Sequence, residues 1–174
     1  MYTVLPYYAA KIISDIPVFA IVPMLFNLIT FFAIGFTRET FIFFGFYASL
    51  ALTTLSGVSF GYFVSSAFTN DAMALSIAPV LAMPLMLVGG FFANQTALPD
   101  WINYFSYISP FKYAFNNMAK LEFSNNGSRA ASAISSMLGI EDEFYKGIYK
   151  VVILIVALQF LSYIFLRILI TKFQ

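Results

Sequence analysis

Residues 40–70 decide the fold, because they read TFIFFGFYASLALTTLSGVSFGYFVSSAFTN and carry no charged side chain between Glu39 and Asp71. A helix needs roughly 20 consecutive apolar residues to cross the hydrocarbon layer of a bilayer, which is about 30 Å thick. This stretch is longer than that, and a span that exceeds the bilayer thickness is accommodated by tilting. We therefore predict a membrane-spanning helix over these residues.

Three more charge-poor runs predict three more spans. The first run lies between Asp15 and Arg38, the third begins after Asp71, and the last has a charge-free centre between Lys150 and Arg167. The turns that join the first three runs are very short, so these spans should form an antiparallel up–down–up set. An even number of spans places both termini on one side of the membrane. The four predicted spans cover residues 16–37, 40–70, 72–92 and 148–170.

The composition agrees with an all-α, polytopic membrane protein and excludes several classes of function. Hydrophobic residues make up 61% of the chain and charged residues 10%, whereas soluble domains have about 45–50% and about 25%. The net charge of +1 favours no nucleic-acid partner. The absence of cysteine and histidine excludes disulfides, zinc sites of the usual ligands and His-based acid–base catalysis.

The region between the third and fourth spans differs from the rest. Residues 98–120 are rich in Trp and Tyr, as membrane interfaces are, and are interrupted by Ser109-Pro110. We predict a re-entrant or interfacial helical hairpin there, followed by a polar external loop over 121–147. The alternative is a fifth full span, which would bury Lys112 in the membrane at high cost in free energy.

Basic residues and glycosylation sequons indicate the orientation. Lys11, Arg167 and Lys172 flank the spans on the side of the termini, which the positive-inside rule places in the cytoplasm. Asn94 and Asn126 each begin an Asn-X-Ser/Thr sequon on the predicted outer side. Asn126 is the better acceptor for a glycan, because Asn94 lies close to the membrane.

Small residues recur at every fourth position of the second span and predict close helix packing. In lipid, such a face lets two helix backbones approach each other. The partner is either a second copy in a dimer or, as we favour from the sequence, a neighbouring span of the same chain. The face consists of Thr53, Gly57, Gly61 and Ser65.

The third span contains Pro79 and Pro84 and ends in Gly89-Gly90-Phe91-Phe92. Prolines permit bends in membrane helices, and the two glycines beside two bulky rings suggest a flexible, narrow point. The alternative is that the two rings simply face lipid.

No enzymatic site is evident. The central apolar runs of the predicted spans contain no charged group, and Asp15, Glu39 and Asp71 stand as lone charges at span ends. No Gly-rich phosphate loop ending in Gly-Lys-Ser/Thr is present. The pattern suits a pathway for large apolar or amphipathic molecules, not ion coupling.

Three motifs in order resemble the membrane domain of ABC exporters, in particular the ABCG (white/pleiotropic-drug-resistance) subfamily. Residues 1–17, MYTVLPYYAAKIISDIP, are similar to the entry of that family's third helix, and 89–94, GGFFAN, to the end of its fifth. Residues 98–101, LPDW, with 107–114, YISPFKYA, and Glu122-Phe123 resemble its re-entrant region.

The resemblance implies that the four spans correspond to the family's third to sixth helices. The family's nucleotide-binding domain, coupling helix and first two helices have no counterpart here, so we expect a fragment or a shortened product. It also implies a homodimer or heterodimer with another ABCG-like half, with ATP and Mg²⁺ bound on a nucleotide-binding domain in cis or in trans. The positions that match the family's cavity and its upper plug are Met83, Met86, Phe91 and Phe92.

The sequence therefore predicts part of the export pathway of an ATP-driven transporter for lipids, sterols or hydrophobic compounds, in the plasma membrane or an endomembrane. Two alternatives stay open. One is a permease subunit of another multi-chain exporter, and the other is a truncated membrane scaffold that does not transport.

Overall fold

A computed structural model describes residues 4–36, 39–89, 99–125 and 144–173, and these segments are helical with short connections. Six helices occur within them, and no strand does. The helices are α1 (Val4–Ile34), α2 (Thr40–Ala67), α3 (Asp71–Leu87), α4 (Asp100–Ser106), α5 (Pro110–Asn125) and α6 (Phe144–Phe173).

Three of the helices are long and apolar enough to cross a membrane: Pro6–Ile34 within α1, Thr40–Ala67 in α2 and Phe144–Leu169 within α6. The apolar helix α3 has 17 residues, which at about 1.5 Å per residue falls short of a full hydrocarbon layer. The all-helical prediction is confirmed. The third predicted span, 72–92, extends beyond the part of the chain that the structure describes, as does most of the predicted loop.

Helix α2 is the centre of the bundle and contacts α1, α3, α5 and α6, most extensively α6. Near its start, α2 contributes Ile42 and Phe46 to a buried cluster with Phe31 of α1 and Leu121 of α5. Aromatic rings dominate this cluster, with ring centroids of Phe31 and Phe46 5.9 Å apart in an edge-to-face arrangement.

Contacts at the two ends of α2 fix the direction of α6. The ring of Phe41 at the start of α2 lies 6.4 Å from that of Phe144 at the start of α6. Phe63 near the end of α2 lies 5.5 Å from Phe165 near the end of α6. The two helices are therefore parallel, and the start of α1 and the end of α6 lie at the same end of the bundle.

The turns follow local chemistry. Asn70 caps α3, with its side-chain oxygen accepting from the amide of Ala72 at 2.9 Å. Gly35, which ends the first helix, has φ +76°, a backbone conformation that side chains with a Cβ rarely adopt. Helices α4 and α5 are separated at Tyr107–Ser109, and Pro110 is the first residue of α5, as proline at a helix start favours.

Candidate functional site

Helix α3 is the most exposed helix of the bundle. None of its residues is buried. A helix with so many apolar side chains on its open surface must be covered by lipid or by another protein surface, because exposing this apolar area to water costs free energy. Its exposed large apolar residues are Met73, Leu75, Val80, Leu81, Met83, Met86 and Leu87.

Two of the four predicted pathway residues lie on this open surface. Met83 is 64% exposed and Met86 is 45% exposed, one helical turn apart. Unbranched, polarizable methionine side chains adapt to apolar molecules of varied shape. Phe91 and Phe92, as well as the sequon residues Asn94 and Asn126, lie outside the described residues, so their placement stays a prediction.

The small-residue face of α2 is also open. Gly57 and Gly61 are exposed, and a Cβ atom added at either would meet no atom within 4 Å. The hydroxyl of Thr53 donates within the helix to the carbonyl of Ser49, at 2.7 Å, and Ser65 is exposed. No helix of the described segments therefore packs against the two glycines.

A groove of about 420 Å³ continues this face onto α3. Its position between the end of α2 and the start of α3 gives it one wall from each helix. The wall from α2 is built of small side chains, so the groove has room for a helix or for lipid. Its lining residues are Gly61, Val64, Ser65, Asp71, Ala74, Leu75 and Ala78.

A polar cluster joins α1, α2 and α6 at the end of the bundle that holds the start of α1. The hydroxyl of Tyr8 donates to Gln159 Oε1 at 2.5 Å, and Gln159 Nε2 donates to Ser59 Oγ at 2.9 Å. Such interhelical hydrogen bonds are each worth about 1 kcal/mol in membrane bundles. Gln159 therefore holds together three helices that are far apart in the sequence.

The charges in α1 correct one expectation from the sequence. Asp15 is not a lone charge, since its carboxylate accepts a hydrogen bond from the hydroxyl of Tyr62 and lies 3.7 Å from Lys11 Nζ. Helix α1 begins at Val4, so both charged residues lie inside an apolar helix and not in a preceding turn. Both side chains stay partly exposed, at 48% for Lys11 and 30% for Asp15, and their pairing and the tyrosine hydroxyl hold the two charges at this end of the bundle.

Beside this cluster is a cavity of about 150 Å³ between α1, α2 and α6. Most of its walls are aliphatic, with Asp15, Ser59, Tyr62 and Gln159 supplying the polar groups. These four side chains already bond to one another or to their neighbours, so they stabilise the helix junction. In the sequence, this junction is indicated by Gln159, a polar amide side chain inside the last apolar run.

Lys112 of the predicted hairpin is buried, with 6% of its surface exposed. Its ammonium donates to Ser106 Oγ at 2.8 Å and lies 4.1 Å from the centre of the Tyr107 ring. A hydroxyl acceptor and a ring face both stabilise a buried cation. The sequence indicates that burying this lysine costs free energy, but it does not reveal which groups offset that cost.

The fold and its surfaces define a class: a helical integral membrane protein whose apolar helix α3 is left exposed by the other described segments. Comparisons with known proteins agree with this class and refine it. The family described as "ABC-2 type transporter" matches residues 1–123. The chain therefore belongs to the ABC-2 type transporter family, as a membrane domain homologous to those of white and ABCG transporters, and the resemblance inferred from its motifs is confirmed.

Three relatives illustrate the similarity. The chain is 37% identical to protein white of Drosophila melanogaster over 108 residues, 62% of this chain and 16% of the relative. It is 31% identical to "ABC transporter ATP-binding protein/permease wht-1" of Caenorhabditis elegans over 146 residues, 78% of this chain and 22% of the relative. With ABC transporter G family member 1 of Dictyostelium discoideum, identity is 24% over 186 residues, 96% of this chain and 24% of the relative.

The chain thus spans between 16% and 24% of the length of these relatives.

Proposed function

We propose that this chain forms part of the membrane pathway of an ATP-driven exporter of lipids, sterols or other hydrophobic compounds. The observation that carries the proposal is the uncovered apolar face of α3 in a domain of the ABC-2 family. The relative whose name combines an ATP-binding protein with a permease supports a coupling to ATP. An apolar face with three exposed methionines, Met73, Met83 and Met86, suits an apolar cargo.

In this proposal two such domains form a homodimer or heterodimer around the pathway. ATP and Mg²⁺ bind to a nucleotide-binding domain, either elsewhere in the same polypeptide or on a second chain. Residues 72–92, which include most of α3, form the third of the four predicted spans. Both termini face the cytoplasm, the protein lies in the plasma membrane or an endomembrane, and residues 93–147 face the exterior or lumen.

Met83 and Met86 line the pathway in this arrangement, and Phe91 with Phe92 closes it on the outer side. Stacked rings exclude water and ions and still part for an apolar molecule. The small-residue face with Gly57 and Gly61 takes up a helix from outside the described chain, because no described helix covers it.

Reconstitution of the complete transporter that carries this segment tests the proposal. Proteoliposomes are loaded with fluorescent sterol and phospholipid probes, and probe movement is followed with ATP and with a non-hydrolysable analogue. We expect movement that requires hydrolysable ATP and that changes in the double variant Phe91→Ala, Phe92→Ala. A matched control is Phe160→Ala in α6, whose ring is 63% exposed.

A protein that dimerises normally but moves no probe under either condition would contradict the export function and favour a membrane scaffold. Transport that is unaffected by the double variant would contradict only the outer closure.

A further inference from the structure

The C-terminal end of α3 is attached to the break between α4 and α5 by one hydroxyl. Ser109, which is fully buried, donates from Oγ to the backbone carbonyl of Leu85 at 2.6 Å. In a continuing helix this carbonyl would accept from the amide of Gly89, but that amide donates to Met86 instead, at 3.2 Å. Ser109 therefore satisfies one of the carbonyls that every helix end leaves without a partner.

Gly89 lets the same two segments touch. It is buried, and a Cβ atom at this position would lie 2.8 Å from the Cβ of Phe111 and 3.4 Å from the amide nitrogen of Lys112. Real Cβ atoms essentially never come as close as the first distance. Glycine here thus serves the close approach of two backbones, and not only the flexibility expected from the sequence.

The segment that receives the end of α3 is stiff. We call residues 106–113 the elbow. Lys112 bonds to Ser106 across it, and the hydroxyl of Tyr113 donates to the carbonyl of Tyr107 at 2.7 Å. Ser106 and Ser109 are fully buried, and Tyr113 is 4% exposed. Bonds between side chains on both sides of the break hold α4 and α5 at a fixed angle.

Helix α5 in turn fixes the elbow to the bundle. Leu121 packs on Gly45 of α2 so closely that a Cβ there would lie 2.6 Å from its Cδ1. Asn117 occupies the space that a side chain at Gly147 of α6 would need. The elbow therefore cannot shift unless α5 shifts against α2 and α6.

Along its length α3 packs on α2, but within the described segments none of its residues is buried. We propose that Ser109 is a positioning residue: through it the elbow holds the C-terminal end of α3 and makes the two move as one unit. The attachment itself is a property of the chain alone. Its consequence for transport, that the elbow sets the position of the outer end of the pathway, rests on the proposed function.

Spin labelling tests the attachment without any transport measurement. The chain has no cysteine, so Met86→Cys and Met73→Cys each provide a single label site, at the two ends of α3. The full chain is placed in lipid nanodiscs, and label mobility is read from the electron paramagnetic resonance spectrum. In Ser109→Ala we expect about a fivefold rise in the mobile population at position 86, as the loss of one hydrogen bond predicts, and no change at position 73.

Ser76→Ala is the matched control, since its hydroxyl donates to the carbonyl of Ala72 within α3 itself, at 2.8 Å. Unchanged mobility at position 86 in a folded Ser109→Ala chain overturns the proposal. An equal rise at positions 73 and 86 also overturns it, because α3 would then have loosened as a whole.

A second measurement keeps Ser109 in place, in case Ser109→Ala lowers the helix content. The double variant Gly89→Cys, Phe111→Cys brings two thiols together where the backbones touch. We expect a disulfide on mild oxidation, after a small shift to the usual Cβ separation of about 3.5–4.5 Å. Failure to form it in the folded chain contradicts the contact on which the attachment depends.

Discussion

The hydroxyl of Tyr8 lies 2.5 Å from the side-chain oxygen of Gln159, although the two residues are 151 positions apart in the chain. Gln159 also donates to Ser59, so one amide connects the beginning of α1 with the later parts of α2 and α6. Ring contacts at the two ends of α2 show that α6 runs parallel to α2, so α6 runs opposite to α1 in the bundle. This arrangement is the structural reason for expecting both termini on one side of a membrane.

Gln159→Leu should weaken the junction. The hydroxyls of Tyr8 and Ser59 lose their shared partner, and we expect the free energy of unfolding to fall by about 1 kcal/mol. Thermal unfolding in detergent, followed by circular dichroism, measures the change. Phe160→Leu, at the exposed neighbouring position, is the control. Equal stability of the two variants would show that the amide contributes nothing beyond its volume.

The orientation of the chain predicts where a glycan is attached. Residues around Asn126 should face the lumen or exterior, so Asn126→Gln should remove one glycan in a cell that glycosylates the protein. Gel mobility before and after glycosidase treatment measures it. Asn94→Gln should have a smaller effect, because that sequon lies near the membrane. Protease access to Arg129 from the cytosolic side would disprove the orientation.

Alanine substitution at two glycines of long helices should change the free energy of unfolding in opposite directions. At Gly147 the added methyl group overlaps Asn117, and we expect a loss of about 1–3 kcal/mol in the free energy of unfolding. At Gly57 nothing lies within 4 Å, so alanine should stabilise the isolated chain by about 0.5–1 kcal/mol through helix propensity. Denaturation of the two variants and the parent chain under the same conditions measures both changes in the free energy of unfolding.

The same Gly57→Ala variant reports on the partner of the small-residue face. If a helix from outside the described chain packs there, the substitution should weaken assembly of the complete transporter. Destabilisation of the isolated chain by Gly57→Ala would instead indicate packing within the chain, contrary to the open face seen here.

Local chemistry explains which parts of the fold could be predicted. Charge-free runs located α2 and α6, and Ser109-Pro110 located the break between α4 and α5, since proline restricts its own backbone and that of the preceding residue. The start of α1 could not be read from charge alone. Lys11 and Asp15 lie within α1, and the hydroxyl of Tyr62, in a different helix, donates a hydrogen bond that stabilises the carboxylate of Asp15 there.

Tertiary contacts explain what the sequence could not predict about the candidate site. Lys112 is stabilised by Ser106 and Tyr107 only because the chain folds back at the elbow. Gly89 looked like a hinge, and its contact with Phe111 becomes visible only when α3 and α5 are placed together. Met83 and Met86 were selected by resemblance, and the structure adds that both are exposed.

The purified chain alone should not bind nucleotide. Its sequence contains no Gly-rich loop with a lysine to hold phosphates, so we expect no binding of ATP by that device. Equilibrium binding of a fluorescent ATP analogue with Mg²⁺ measures this, with the complete transporter as the positive control. Saturable binding by the isolated chain would require a nucleotide site of another kind.

Two methionines with the same exposure distinguish the pathway from the lipid-facing surface. Met86 in α3 and Met24 in α1 are each 45% exposed. Met86 should face the cargo and Met24 the acyl chains, if α3 lines the pathway. Because the chain has no cysteine, a single cysteine at either position can be modified selectively within it.

The decisive measurement is therefore ATP-dependent efflux by the complete transporter, carrying Met86→Cys or Met24→Cys, before and after reaction with a bulky, membrane-permeable thiol reagent. The account predicts that modification at position 86 removes most of the efflux and that modification at position 24 leaves it near the unmodified rate. Equal efflux from the two modified proteins would contradict the claim that α3 lines the export pathway.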